Sequence, residues 1–319
     1  MQPKASPETI STRRRRLIKR RFLLTALTAL PFAGAQGLAQ RRVLVCFPRS
    51  PLPADAAFIR SVTASLVEFL RRSASTVSSA LTLSETPERL VELARSSRAD
   101  VIIGVGAPTL AILQAARLPV PLLAAAAPIV PGAGLSGLST IAEPSAQLAV
   151  LARFAPAAKR VFVVHQPSDG WLIEIARRAA ASRGMSLIAL SATNGRDAAV
   201  DYLNTVRSMN SRTDALWLTS QPGVLTTELV QAIVEQAWNA SALVYSSALE
   251  HVTQGVLFGT YPDPRRVAER VARMALAGSN GVQLDSQPNT AVNVRTATHL
   301  VSRLDMSLLA GFTIRFGER

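Results

Sequence analysis

One unit recurs through this chain: a short apolar run, a turn carrying Gly, Pro or Ser, and an amphipathic helical stretch. The clearest copy is 100–109 (DVIIGVGAPT), where Val101, Ile102 and Ile103 run into Gly104-Val105-Gly106, and Ala107-Pro108-Thr109 opens a helix. A continuous apolar run of this length, bounded by turn residues, reads as a strand buried on both faces, and parallel sheets covered by helices bury strands in that way. The helix that follows begins with unpaired N–H groups and a partial positive charge. Such a turn is where open α/β sheets receive ligands.

Before this copy, strands are expected at 42–47 and 77–83. Helices are expected at 54–72, with Phe58, Val62, Leu66, Phe69 and Leu70 on one face, and at 85–98. After it, a helix to 117 and a strand at 120–126 complete a β-α-β-α-β-α-β order, which implies parallel strands and right-handed crossovers. Pro131, Gly132, Gly134 and Gly137 mark 128–139 as a linker or crossing segment. The rhythm then restarts, with helices at 145–154, 171–183, 197–209 and 225–239 and strands at 160–164, 186–190, 215–219 and 242–245. Two strand–helix pairs remain, 255–261 with 264–277 and 291–294 with 296–303. They are too few for a core of their own and are expected to complete the two sheets, one pair each. The fold class is therefore α/β, two Rossmann-like lobes of 41–139 plus 254–281 and 140–253 plus 287–311. Three crossings, near 136–142, 247–254 and 281–289, form a hinge between them, and a hinged pair of lobes closes on what lies between.

The net charge of +14 invites a nucleic-acid reading, so its location decides. Residues 1–39 hold eight Lys or Arg against Glu8, leaving 27 basic and 20 acidic residues dispersed over the rest. No basic stripe interleaved with aromatics appears, and nucleic acid is not expected as a partner. The basic cluster 13–21 instead precedes an apolar run, 22–35, and small residues before Gln36 and Gln40, the layout of a signal peptide cleaved near either one. Lys19-Arg20-Arg21-Phe22-Leu23-Leu24 also resembles a twin-arginine signal, so the Sec and twin-arginine routes both stay open. A periplasmic protein is expected. Cys46, the single cysteine, lies in an apolar run and is expected as a buried hydrophobe.

Four stretches carry a family likeness: 131–139 (PGAGLSGLS), 155–161 (APAAKRV), 214–217 (DALW) and 292–297 (VNVRTA). With the element order over 42–305, the chain resembles the ABC-transporter substrate-binding proteins of the type I periplasmic binding fold, in their tryptophan/tyrosine-type subgroup. The resemblance implies an exported, non-catalytic receptor, expected as a monomer, that delivers a small-molecule ligand to an ABC permease in the inner membrane. Where such relatives carry Asp-Pro after the fourth strand this chain has Ala127-Pro128, and for Tyr-Asn-Pro it has His165-Gln166-Pro167. The resemblance thus implies the role and not the ligand.

Strand ends nominate the binding residues. Arg49, Ser50, Gly106, Ala107, Thr109 and Ala127 form one expected wall, and His165, Gln166, Ser168, Gln221, Ser247 and Tyr261 the other. Gly106 and Thr109 can cradle an anion, Arg49 can pair with one, and Tyr261 can stack. Ser168 and Asp169 also suit a helix cap, and Trp171 the core or the cleft wall. The three histidines are far apart and Gly104-x-Gly106-x-x-Thr109 lacks the third glycine of a dinucleotide fingerprint, so neither metal nor cofactor is expected. With no Gly-x-Ser-x-Gly and no matched carboxylate pair, no catalytic residue is assigned. The expected function is closure over a small polar or anionic molecule. A sensory ligand-binding subunit is the alternative, and a two-lobe enzyme a remoter one, for which only His165 would qualify.

Overall fold

The apolar runs form strands and the amphipathic stretches form the helices that cover them. The computed structural model describes residues 40–318 apart from 133 and 220–223; the expected leader, 1–39, lies outside the described residues. In chain order the first part holds β1 (Arg42–Pro48), α1 (Pro53–Arg71), β2 (Ser75–Leu81), α2 (Pro87–Ser96), β3 (Val101–Val105), α3 (Ala107–Ala115), β4 (Leu122–Ala127) and β5 (Ser136–Ala142). Then come α4 (Pro144–Phe154), β6 (Arg160–His165), α5 (Gly170–Ala181), β7 (Ser186–Ser191), α6 (Gly195–Ser208), β8 (Asp214–Leu218), α7 (Thr227–Asn239) and β9 (Leu243–Ser246). The last part holds α8 (Leu249–Thr253), β10 (Phe258–Tyr261), α9 (Pro264–Ala277), β11 (Val282–Asp285), β12 (Asn289–Asn293), α10 (Val294–His299) and β13 (Ile314–Phe316).

Two sheets result, in the orders β2-β1-β3-β4-β5-β11 and β7-β6-β8-β9-β10-β12-β13. Every neighbouring pair is parallel except β10 with β12. Strand alternation divides each strand between two cores. In β8, Ala215 and Trp217 face the core under α4 and α5, while Leu216 and Leu218 face the one under α6 and α7. The edge strand β2 starts two residues earlier than its weak alternation suggests, and Val77 on it is exposed.

The last four residues of the segment expected as a linker or crossing, 136–139, open the strand β5. Gly137, at φ 141°, lies so close to β4 that a Cβ there would meet the Ala124 carbonyl oxygen at 2.3 Å. Its glycine permits a close approach of two backbones. Behind it, the buried Ser139 hydroxyl accepts the N–H groups of Ile129 (3.0 Å) and Ile141 (3.2 Å), fixing the connection.

The tail also differs from the expected pairing of strand with following helix. Strand β10 lies beside β9 in the second sheet, because Phe258 stacks on Tyr245 (centroids 5.1 Å apart) in that core. Its helix α9 goes to the first lobe, packing Val267, Val271 and Met274 with α1, and the unforeseen β11 completes the first sheet. The chain thus changes lobes at Glu143, at Pro262-Asp263 and at 286–288. These crossings touch: Glu143 N–H donates to the Asp285 carbonyl (2.8 Å) and Gln287 N–H to Asp285 Oδ1 (3.1 Å). Arg266 and Arg270 of α9 add bonds to the Gln287 carbonyl (2.9 Å) and Ser286 Oγ (3.0 Å).

Replacing Gly137 by Ala is expected to lower unfolding free energy by more than about 2 kcal/mol, since backbone must move; urea denaturation with an unchanged midpoint would remove the close approach as a constraint. A second outcome concerns Asp214, whose carboxylate takes a fork from Arg160 (2.7 and 2.6 Å) and the N–H of Asn210 (2.7 Å). Burial alone would raise its pKa, but those bonds and Thr213 outweigh burial and hold it below the ordinary 3.8. A depressed folded pKa gives stability that is present above the unfolded value and lost as pH falls through the folded one. The wild type is expected to lose urea resistance below about pH 4. D214N, weaker by about 2 kcal/mol at neutral pH, should lose less on acidification.

Candidate functional site

At the carboxyl ends of the strands the two lobes enclose a cavity of about 380 Å³. The first lobe contributes Asp55, Phe58 and Ile59 from the opening turns of α1, Ala107 from the start of α3, and Ala126, Pro128 and the end of β5. From the second come Asp169 and Trp171 at the start of α5, Thr219 after β8, the stretch Ser247–Glu250 leading into α8, and Tyr261. These walls follow from local backbone chemistry. Gly106 caps α3 at φ 85°, where a Cβ would press to 3.0 Å from Ile59 Cδ1, so β3 can turn at once into the helix. Ala126 sits at φ 53° where the β4–β5 register shifts, a conformation that costs a non-glycine residue about 1 kcal/mol. Positive backbone angles thus stand on both sides of the first wall.

In the second lobe, buried hydrogen bonds fix the wall. Ser247 Oγ accepts Trp217 Nε1–H (2.8 Å) and Gln147 Nε2–H (3.0 Å). Beneath, Trp217, Tyr245 and Phe258 form a stack. Ser246 Oγ lies 2.7 Å from His251 Nδ1 and accepts Ala248 N–H (3.0 Å), which sets the turn before α8. Burial lowers the His251 pKa, and the Ser246 hydroxyl is fully buried, so this pair orders the wall and is not presented to a substrate.

Of the residues nominated from strand ends, Ala107, Ser247 and Tyr261 line the cavity. Burial and neighbouring Asp263 raise the Tyr261 phenol pKa, outweighing its bonds to Thr313 and Asn289, which lower it, so it stays protonated. Arg49 and Ser50 are exposed outside the cavity. The Gly106 N–H is committed to the Ala125 carbonyl (2.9 Å), and Thr109, 1% exposed, is buried within the lobe. Together they do not form the expected anion cradle. Ala127 is buried in a small core with Leu110 and Ile129. His165 is turned back, its Nδ1–H donating to the Gln166 carbonyl (2.8 Å), and neither Gln166 nor Ser168 reaches the lining. Gln221 lies outside the described residues.

Asp55 and Glu250, in first helical turns one step further along the chain, are the groups missed, and Asp169, expected as a cap, joins them in the lining. Asp55 stands in the first turn of α1, Asp169 at the N-cap of α5 without a side-chain cap bond, and Glu250 in the first turn of α8. A carboxylate in that position is favoured by the helix N-terminus, which is the sequence signal that could have found them. Trp171, expected in the core or on the cleft wall, packs against the core and lines the cavity. No Lys or Arg is among the described residues that line the cavity. No group of three or more His, Cys, Asp or Glu among the described residues could hold a metal ion. Cys46 is fully buried, its thiol pushed up to about 12 by burial.

Residues 79–296 match the model of the family described as ABC transporter substrate binding protein. The chain belongs to that family. Solved structures agree on the fold of this substrate-binding protein. A conserved domain protein from Vibrio cholerae aligns over 86% of this chain and 99% of its own at TM-score 0.54 and 19% identity. The ABC domain in complex with L-Trp from Streptococcus pneumoniae aligns over 87% and 100% at 0.55 and 15%. The ligand-free, open form of a substrate binding protein with adhesive properties from Clostridium difficile aligns over 82% and 95% at 0.58 and 15%. No curated protein matches the chain. The fold they share is the two-lobed α/β fold of the type I periplasmic binding proteins.

In this substrate-binding protein S247A is expected to cost about 1–3 kcal/mol, because it strands the buried N–H of Trp217 and the Gln147 amide. Urea unfolding followed by tryptophan fluorescence reads the loss; an unchanged midpoint would show that Ser247 does not organise the wall.

Proposed function

We propose that this chain is the solute-binding component of an ABC transporter, which closes two lobes over a small molecule and presents the closed form to an inner-membrane permease. The observation that carries the reading is a cavity lined by both lobes, which are joined by three adjacent crossings. A ligand held there touches both walls only when they are close, so it favours closure by the contacts it gains in that state. The lobes on this reading are 42–142 with 264–285 and 144–262 with 289–316. Binding without chemistry accounts for walls made of apolar rings, hydroxyls and helix-end carboxylates, with the buried Ser246–His251 pair facing inward.

Export is supported by the basic and apolar pattern of residues 1–39. No helix among the described residues is long and apolar enough to cross a membrane. The four stretches that resemble the tryptophan/tyrosine-type subgroup favour placing the protein near it. The L-Trp in the Streptococcus pneumoniae complex is that protein's ligand.

A library of amino acids, amines, carboxylates, phosphates and nucleobases, together with a metabolite extract, is expected to contain a ligand that raises the melting temperature by about 5 °C at saturating excess. The same ligand should reduce the radius of gyration in solution scattering. If neither quantity moves with any member or with the extract, the solute-binding reading fails.

A further inference from the structure

We propose that the ligand of this cavity is an organic cation: a small amine with net positive charge, an apolar or aromatic body and no carboxylate. The proposal rests on the solute-binding reading above and names the chemical class it binds.

The charged side chains of the lining are all acidic. Asp55 comes from one lobe, and Asp169 and Glu250 from the other. Asp55 and Glu250 form no ion pair among the described residues. A cavity of this volume is roughly 9 Å across, about one Debye length at physiological ionic strength, so carboxylates on opposite walls repel one another. Closure brings them together and strips their water, both of which oppose it. A cation between the walls reverses both terms.

Three of the four helix ends at the cavity already carry a carboxylate. Asp55, Asp169 and Glu250 stand at the N-termini of α1, α5 and α8, so their own carboxylates answer those partial positive charges. At α3, where the Gly106 N–H goes to Ala125 and Pro108 has none to offer, only the Ala107 and Thr109 N–H groups remain. A ligand carboxylate would meet three like charges and no lining cation.

A further observation points to an amine. Phe58, Trp171 and Tyr261 put aromatic rings on both walls, and the face of such a ring attracts an ammonium group. The carboxylates are too dispersed to share a metal ion, which leaves an extended organic cation as the species that spans them. The volume of about 380 Å³ suits a small molecule.

Calorimetric titration of the chain from Gln40 onward with tyramine, putrescine and spermidine, beside L-tyrosine, L-tryptophan, succinate and phosphate, tests the class. At least one amine is expected to bind, and tyramine to bind at least tenfold tighter than L-tyrosine, which differs from it by a carboxylate. Asp55→Asn and Glu250→Gln change exposed residues in first helical turns. Each is expected to weaken the amine about tenfold while leaving the unliganded melting temperature within a few degrees. The cation class is overturned if none of the three amines binds, or if L-tyrosine, L-tryptophan, succinate or phosphate binds more tightly than every amine. It is also overturned if both variants bind the amine as the wild type does. Each of these leaves solute binding intact as long as some other member of the library shifts the melting temperature, so the two readings fail separately.

Discussion

Everything in this molecule depends on strands that are hydrogen-bonded along both edges and covered on both faces. Such a strand has no exposed position for a polar side chain, which is why β3 is buried at all five residues and β8 likewise. Polar chemistry is driven off the strands to the places where they end. There the backbone must turn, and the next element offers a helix N-terminus. The cavity is therefore built from the first turns of α1, α3, α5 and α8, and its acidic character follows from the preference of such turns for carboxylates. Asp214 departs from this rule at the opposite, amino end of β8, and it does so only because Arg160 and the Asn210 N–H replace the water it gives up.

The same constraint shapes the hinge. Each lobe covers its sheet only by borrowing from the tail: α9 closes one face of the first lobe, and β10, β12 and β13 extend the second sheet. The chain must then cross three times, and the crossings lie close enough to hydrogen-bond through Asp285. Its Oδ1 accepts Gln287 N–H, while Oδ2 is buried without a partner and burial raises its pKa. The bond that joins two crossings is the one from the Glu143 N–H to the Asp285 main-chain carbonyl. The backbone strain is placed elsewhere, at Ala126 on the cavity wall.

The first four strands, the first three helices and the restart of the pattern after the Pro- and Gly-rich segment could be read from the chain, because apolar runs and helical periodicity are local signals. What could not be read was long-range. Gly137 looked like a linker glycine, yet its role is to let β5 lie against Ala124, a contact invisible without the partner strand. Phe258 gave no sign of which sheet would receive it. The stack on Tyr245 decides that, and the helix behind it goes to the other lobe. At the site, strand-end reasoning found Ala107, Ser247 and Tyr261 but chose turn residues such as Arg49 and His165 over Asp55 and Trp171. A turn residue can fold back on its own backbone, as His165 does. A first-turn helical residue is held pointing along the helix entrance.

Net charge and site charge have opposite signs here, and the length scale separates them. The part of the chain after residue 39 carries 27 basic residues against 20 acidic ones, spread over a large surface where salt screens each beyond roughly 10 Å. Such a field slightly disfavours the approach of a cation. Within the cavity the nearest charges are carboxylates, the rings exclude water, and the effective dielectric falls, so the local term grows as the lobes close. Recognition of a cation by a basic protein is then a property of the closed state. Its affinity resides in slow release from a shut cleft, with little contribution from electrostatic steering, and higher salt weakens it less than it would an exposed ion pair.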